Sequence, residues 1–336
     1  METIEKILVT GGAGYCGSRL VPQLLNVGYE VTVYDTFYFT PNNLPPADPR
    51  CAMVKGDLRD FNKFSQVVEG HDAVINLACI SNDASFELDE ELSTSINLNA
   101  FEPLVLASKA AGVKRFIYAS SSSVYGVSNE PDVREDHPLI PLTLYNKYKG
   151  ECEPLLLKHT DNNFVGVIFR PATVCGYAPS QRLDLSVNIL TNLAINKKEI
   201  TVFGGSQMRP NLHIQDYCDV VQLLLESDAG KVQNQIFNVG SQNLEINEIA
   251  KIVKRIVEER FPNQEQIKIV KTKSNDNRSY HINSDKIRDT LGFVPRYSVE
   301  DAVHELCDAF QAGKIPDSLN NDVYFRVKRL KKLGVK

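Results

Sequence analysis

Tyr145 and Lys149, in the run Tyr145-Asn146-Lys147-Tyr148-Lys149, stand four residues apart. On a helix, positions i and i+4 share a face, so a phenol and an ammonium at that spacing can meet at one ligand. A free phenol has a pKa near 10 and is a poor base at neutral pH. Lowering it by about three units means favouring the phenolate by roughly 4 kcal/mol. An ammonium in a partly dry cleft is a source of that stabilisation. The same spacing also arises on a solvated helix face, so the pair needs a second signal. Ser120-Ser121-Ser122-Ser123-Val124-Tyr125-Gly126 provides one. Four hydroxyls there follow a strand-like run, and a serine at such a point can hydrogen-bond a reacting alcohol oxygen and share its proton with Tyr145.

A glycine turn lies near the other end. Thr10-Gly11-Gly12-Ala13-Gly14-Tyr15-Cys16-Gly17 places Gly11, Gly14 and Gly17 three apart, after an apolar run and before a helical pattern. Glycine permits a tight turn and a close backbone approach, and the following helix start offers unpaired N–H donors to a phosphate. The next strand-like run ends in Asp35. Strand, glycine turn, helix and acid together point to a dinucleotide. A carboxylate at Asp35 accepts two ribose hydroxyls and repels a 2′-phosphate, so NAD is expected over NADP. No Arg or Lys between Thr36 and Pro49 reverses that preference. Asp57 is a second acid, either at the adenine edge or a plain turn aspartate.

The elements that must position these groups alternate. Lys6–Thr10, Glu30–Asp35, Ala73–Ala78, Arg115–Ser120 and Phe164–Phe169 read as buried strands, with helical stretches such as Ser18–Val27 between them. Strands alternating with helices give a parallel, doubly wound α/β sheet. Ligands then sit at the carboxyl ends of its strands, where the serine run falls. The proline-rich Pro41–Pro49 reads as a loop able to cover a ligand. Beyond about residue 170 the alternation weakens. Leu183–Ile195 reads as a helix, Val202–Phe203 as a strand, and Ile249, Ile252, Val253, Ile256 and Val257 as one apolar helix face. The expected division is a dinucleotide-binding unit over 1–170, rejoined by 210–242. A smaller α/β substrate unit covers 171–209 and 243–325, and a basic, solvated C-terminal tail 326–336.

Composition excludes other classes. The 336 residues are 43% hydrophobic and 24% charged, ordinary globular usage. Lys plus Arg is 37 against 42 Asp plus Glu, a net charge of −5. That leaves no global field to attract nucleic acid or anionic lipid. No apolar run reaches the ~18 residues of a membrane span, and no signal peptide is visible. Seven scattered cysteines without CxxC spacing fit free thiols in a reducing, cytoplasmic setting, with no metal site expected. His213 and His281 are read as structural.

With these residues in view, the chain resembles the extended short-chain dehydrogenase/reductases, in particular the nucleotide-sugar epimerase/dehydratase group, over about residues 5–310. The resemblance rests on the glycine motif with Asp35, Asn76-Leu77-Ala78, Asn97, Ser121 through Gly126, Tyr145/Lys149 and Phe169-Arg170-Pro171. It implies a Rossmann fold, NAD, a nucleotide-diphosphate sugar and a homodimer. By the same resemblance Tyr145 is the base, Ser121 orients the sugar, and Lys149 binds the nicotinamide ribose while tuning Tyr145. A positive nicotinamide would further favour the phenolate. The implied cofactor contacts are Gly11, Gly14, Tyr15, Cys16, Gly17, Asp35, Asp57, Leu58, Leu77, Ala78, Asn97, Tyr145, Lys149 and Arg170. On the substrate side stand Ser121, Ser122, Ser123, Thr173, Arg182, Asn188, Arg209 and Arg278. Arg209 and Arg278 match the family's pyrophosphate arginines, and a guanidinium presents a planar fork of donors to a diphosphate.

The expected reaction is oxidation of the sugar at C4, most simply as a 4-epimerase that consumes no net cofactor. One alternative is a 4-dehydrogenase that releases the keto sugar, its reduced cofactor being recycled by a second substrate. Another is an idle dinucleotide-binding regulator, against which the complete Ser121, Tyr145 and Lys149 set argues. Dehydratases of the family carry an Asp-Glu pair where this chain has Ser122 and Ser123, and a hydroxyl lacks the pKa for that acid and base work. Sugar dehydration is therefore not expected. Thr173 and Cys79 also depart from the usual Asn and Ala. Cys175 is either a base for 3- or 5-epimerisation or a small packing residue.

Overall fold

The computed structural model describes residues 4–39, 48–81, 85, 88–128, 130–273 and 279–335. Its apolar runs become β1 (Lys6–Thr10), β2 (Glu30–Asp35), β3 (Cys51–Lys55), β4 (Ala73–Asn76), β5 (Arg115–Ala119) and β6 (Val165–Pro171). After β7 (Thr173–Cys175), β8 (Glu199–Phe203) and β9 (Met208–His213), the strand β10 (Gln235–Val239) comes back beside β6. The seven-stranded sheet runs β10-β6-β5-β4-β1-β2-β3, every neighbouring pair parallel. Winding reverses between β1 and β4, which opens a crevice at their carboxyl ends. This is the expected doubly wound, Rossmann-type sheet.

Both faces are covered, which is why its strands read as continuous apolar runs. Ile7 and Val9 pack with Leu20 and Leu24 of the helix Tyr15–Val27 and with Val221 and Leu224 of the helix Ile214–Glu226. Leu8 packs on the opposite face, with Phe64, Leu104 and Leu156. Those three come from the helices Phe61–Val68, Phe101–Ala110 and Leu144–Leu157. The turn after β1 needs its glycines. Gly11 has φ +72, and a Cβ there would lie 2.7 Å from the Ala78 nitrogen; at Gly17 one would meet the Gly12 Cα at 2.5 Å.

A second layer is built from β11 (Gln242–Glu245), β9 and β7, and from the pair of β12 (Lys268–Thr272) with β8. The helices Ser186–Lys197, Ile246–Arg260 and Val299–Gln311 close a separate core around Val187, Leu190, Ile249, Val253 and Val303. The strands β3 and β12 lie at sheet edges with most of their residues solvent-facing: β12 has only Ile269-Val270 as apolar residues, and the short run Cys51-Ala52-Met53-Val54 of β3 is largely exposed.

The basic C-terminus is less solvated than expected. Residues Arg326–Leu333 form a helix with two faces: Lys328, Lys331 and Lys332 are exposed, while Arg326 and Leu330, four apart, are buried. The tail is not simply solvated. Most of the Pro41–Pro49 stretch lies outside the described residues. Among the described residues, no helix is long and apolar enough to cross a membrane.

Candidate active site

A cavity of about 820 Å³ runs from the glycine turn across the carboxyl ends of the sheet to the second layer. At its first end the helix Tyr15–Val27 starts at Gly14 with no side-chain cap. Its first-turn N–H groups have no side chain to satisfy them, which makes an anion site. Gly11, Tyr15, Cys16 and Gly17 line this end. Asp35 stands beside it, one oxygen accepting from the Ala13 N–H at 3.1 Å and the other from the Phe37 N–H at 2.8 Å. Burial pushes the Asp35 carboxyl up, against those two hydrogen bonds. Each oxygen keeps a lone pair for a ribose hydroxyl. Asp57 and Leu58 also line this end. Asp57 is bidentate to Arg59 at 3.0 and 2.7 Å, and that guanidinium holds its carboxyl below the usual range. Leu77 and Ala78 continue the wall. An uncapped helix start, a glycine turn with no room for side chains and a ribose-ready carboxylate fit a dinucleotide.

The middle of the cavity carries the hydroxyls. Thr143 caps the helix Leu144–Leu157, its Oγ1 accepting from the Asn146 N–H at 3.3 Å. That start sets Tyr145 and Lys149 on the cavity wall, one turn apart. Lys149 is buried, with its Nζ donating to the Ala119 carbonyl at 2.7 Å and lying 5.1 Å from the Tyr118 ring centroid. Across from them, Ser121 Oγ lies 2.7 Å from Ser123 Oγ, which donates to Asn146 Oδ1 at 2.6 Å. Ser122 is buried, its Oγ 3.4 Å from the Tyr280 hydroxyl. Ser121, Ser122 and Ser123 all line the cavity.

Toward the second layer come Thr173, Arg182 and Arg209. Arg182 Nε donates to Asp184 Oδ1 at 2.5 Å, and its Nη1 to Ser81 Oγ at 3.0 Å. Arg278 lies outside the described residues.

Several expected residues are placed elsewhere. Arg170 is not on the cavity wall: it is buried against Glu153, at 2.9 and 2.6 Å, and donates to the Tyr125 hydroxyl at 2.6 Å. It ties β6 to the helix Leu144–Leu157 rather than holding a cofactor. Asn97 clamps the main chain of Ile80 in both directions, at 2.8 and 2.9 Å, behind the Leu77–Ala78 wall. Asn188 is buried, accepting from the Gly176 N–H at 3.0 Å and donating to the Tyr15 hydroxyl at 3.1 Å. Neither is on the wall of the large cavity; both position it, and Asn97 lines a small pocket behind it with Ala78 and Lys149. Cys175 is buried away from the cavity, and burial pushes its thiol far up. That placement fits the small packing residue rather than the base. His213 is an N-cap, its Nδ1 accepting from the Gln215 N–H at 3.0 Å.

Arg326, Phe39 and Tyr280 line the cavity and were not anticipated. The one sequence signal for Arg326 is its i, i+4 relation to Leu330 in an otherwise basic run. Among the described residues, no cluster of His, Cys, Asp and Glu suits a metal ion.

Residues 7–240 match the NAD dependent epimerase/dehydratase family. The chain is 28% identical over 331 residues to a dTDP-glucose 4,6-dehydratase of Streptomyces niveus, covering 92% of this chain and 94% of the relative. It is 27% identical over 321 residues to a UDP-glucose 4-epimerase of Lacticaseibacillus casei, with 89% and 94% covered. Among solved structures it resembles a dTDP-glucose 4,6-dehydratase of Streptomyces venezuelae with NAD bound. There the TM-score is 0.81 at 25% identity, over 92% of this chain and 98% of that one.

Proposed function

The chain belongs to the NAD dependent epimerase/dehydratase family, and from that premise we propose that it is a sugar-nucleotide 4-epimerase. Relatives of both kinds, epimerase and dehydratase, match along almost the whole chain. The likeness by itself does not separate the two activities. The reading is carried by one observation: Ser121, Tyr145 and Lys149 share the cavity wall with Ser122 and Ser123, where elimination of water would need an acid and a base. The described carboxylates on that wall are Asp35, Asp57 and Asp184. Two sit at the glycine end and the third is engaged by Arg182.

NAD, which Asp35 and the uncapped helix start at Gly14 would hold, would supply a reversible hydride acceptor for C4. Tyr145 accepts the C4 hydroxyl proton on its phenol oxygen and returns it when the sugar is reduced on the other face. Ser121 hydrogen-bonds the same sugar oxygen and holds it before Tyr145. Lys149, anchored to the Ala119 carbonyl, keeps a positive charge on the wall one helical turn away, favouring the phenolate. Arg209 offers its donors to the diphosphate.

The test is incubation of the purified protein with a panel of nucleoside-diphosphate hexoses, with no electron acceptor added. A C4 epimer of unchanged mass is expected. A product lighter by one water would make the protein a dehydratase. A 4-keto sugar formed with stoichiometric reduced nicotinamide would make it a 4-dehydrogenase. Either result overturns the reading.

A further inference from the structure

The helix Arg326–Leu333 brings to the cavity a cation that, among the described residues, pairs directly with no carboxylate. Arg326 is 5% exposed, and its guanidinium stacks 3.9 Å from the Phe39 ring centroid. Asp184 is the carboxylate that serves this corner. One of its oxygens accepts from Arg182 Nε and the other from the Arg326 main-chain N–H at 3.0 Å, not from the Arg326 guanidinium. Among the described residues that guanidinium makes no ion pair, and its hydrogen bond is a long 3.5 Å contact to the Val323 carbonyl. Burial and the neighbouring Arg182 work against its charge, and the Asp184 and Asp35 carboxylates favour it. Arg182 Nη2 is likewise buried without a partner. Asp184 and Asp35 act on Arg326 from a distance, but among the described residues neither pairs with its guanidinium, and a buried charge without a direct partner is costly. The guanidinium keeps donors for a ligand anion.

Its place in the cavity says which anion. Arg326 lines the cavity together with Asp35 and Cys16. The first is the ribose-binding carboxylate and the second lies in the first turn of the uncapped helix. Between such a carboxylate and such a helix start a dinucleotide lays its pyrophosphate. We propose that Arg326 donates to the pyrophosphate of the bound dinucleotide, making the C-terminal helix a clasp that keeps the cofactor on the protein through turnover. The proposal rests on NAD being the cofactor. The helix is built to hold that position: Arg329 Nε donates to the Tyr38 carbonyl at 2.7 Å, Arg329 also pairs with Asp322 at 2.9 Å, and Leu330 is buried at the cavity wall. A guanidinium presents a fork to two phosphate oxygens, and a charge-assisted pair of that kind is stronger than a neutral one.

The test compares the intact protein with Arg326→Met and Arg326→Lys by calorimetric titration with NAD. Bound NAD retained after gel filtration is measured alongside. Arg326→Met should raise the NAD Kd at least tenfold and elute depleted of cofactor, and Arg326→Lys should recover part of the affinity. Without NAD, Arg326→Met should melt no lower than the parent, because a buried charge without a direct ion pair has been removed, and NAD should then raise its Tm less. An unchanged NAD Kd in Arg326→Met overturns the clasp. So does a loss confined to nucleoside-diphosphate-sugar binding, which would assign the arginine to substrate. Failure of the parent protein to bind NAD would instead overturn the cofactor reading itself.

Discussion

The Ser123 hydroxyl is bonded to the Asn146 carboxamide at 2.6 Å, directly beside Tyr145 in sequence and 2.7 Å from Ser121. Asn146 is fully buried, and its Nδ2 has no partner. With Asn146 accepting, Ser123 spends its proton there and Ser121 donates to Ser123, so Ser121 meets the sugar as an acceptor. With the carboxamide turned over, Asn146 donates, Ser123 passes its proton to Ser121, and Ser121 meets the sugar as a donor. The Asn146 amide thus sets the polarity of the hydroxyl that orients the substrate. Asn146→Ala should lower kcat about tenfold, the equivalent of about 1.4 kcal/mol, with NAD binding unchanged. Steady-state kinetics beside an NAD titration check this, and an unaltered kcat would remove Asn146 from the relay.

Tyr145→Phe keeps the ring and deletes the proton acceptor. General acid–base residues of this kind contribute about 10²–10⁴-fold, and kcat should fall by that range. Cofactor binding should persist, since the glycine turn and Asp35 at the other end of the cavity, and Lys149, are left intact. Single-turnover absorbance of the reduced nicotinamide separates the two effects. A variant that still reduces bound NAD at the parent rate would refute the base assignment.

The local part of this site can be read from the chain. Gly11, Gly14, Gly17 and Asp35 lie within 25 residues, and Tyr145 with Lys149 within one helical turn, so spacing alone brings each set together. Arg170 shows where that logic stops. Its neighbours Glu153, Glu135 and Tyr125 come from 17, 35 and 45 residues away, and only folding reveals that they consume its donors. Arg326 is the reverse case. It sits in a run of cations that local pattern assigns to solvent, and contacts with Phe39 and Asp184, distant in sequence, bury it.

If Arg170 is a tie between β6 and the helix Leu144–Leu157, its loss should be felt in stability and not in NAD affinity. Arg170→Met strands Glu153, which is 2% exposed, as an unpaired buried carboxylate. Breaking a buried pair in this way costs about 3–5 kcal/mol. Urea denaturation should show a drop of that size, while an NAD titration well below the melting temperature gives the parent Kd. Weakened NAD binding at unchanged stability would restore Arg170 to the cofactor site.

Glu305 makes the folded state sensitive to acid. Its Oε1 lies 3.1 Å from Arg19 Nη2, while its Oε2 accepts from the Tyr177 N–H at 3.0 Å and faces His213 Nε2 at 3.3 Å. These come from the first helix, the segment after β7 and the cap of the helix Ile214–Glu226, so one carboxylate joins both layers. Burial works to raise its pKa, but His213, the Tyr177 N–H and Arg19 outweigh it and hold the carboxyl below its ordinary 4.5. A depressed carboxyl contributes stability that is fully present above the unfolded value and is lost as pH falls through the folded one. The contribution is therefore complete at neutral pH and disappears only below 4.5. Glu305→Gln should be less stable than the parent by about 2 kcal/mol at neutral pH, the scale of hydrogen bonds to a charged group. The gap should narrow steadily as the pH is lowered past that value. Urea midpoints measured across the acid range decide it, because a gap that stays constant with pH would mean that Glu305 contributes by packing and not by its charge.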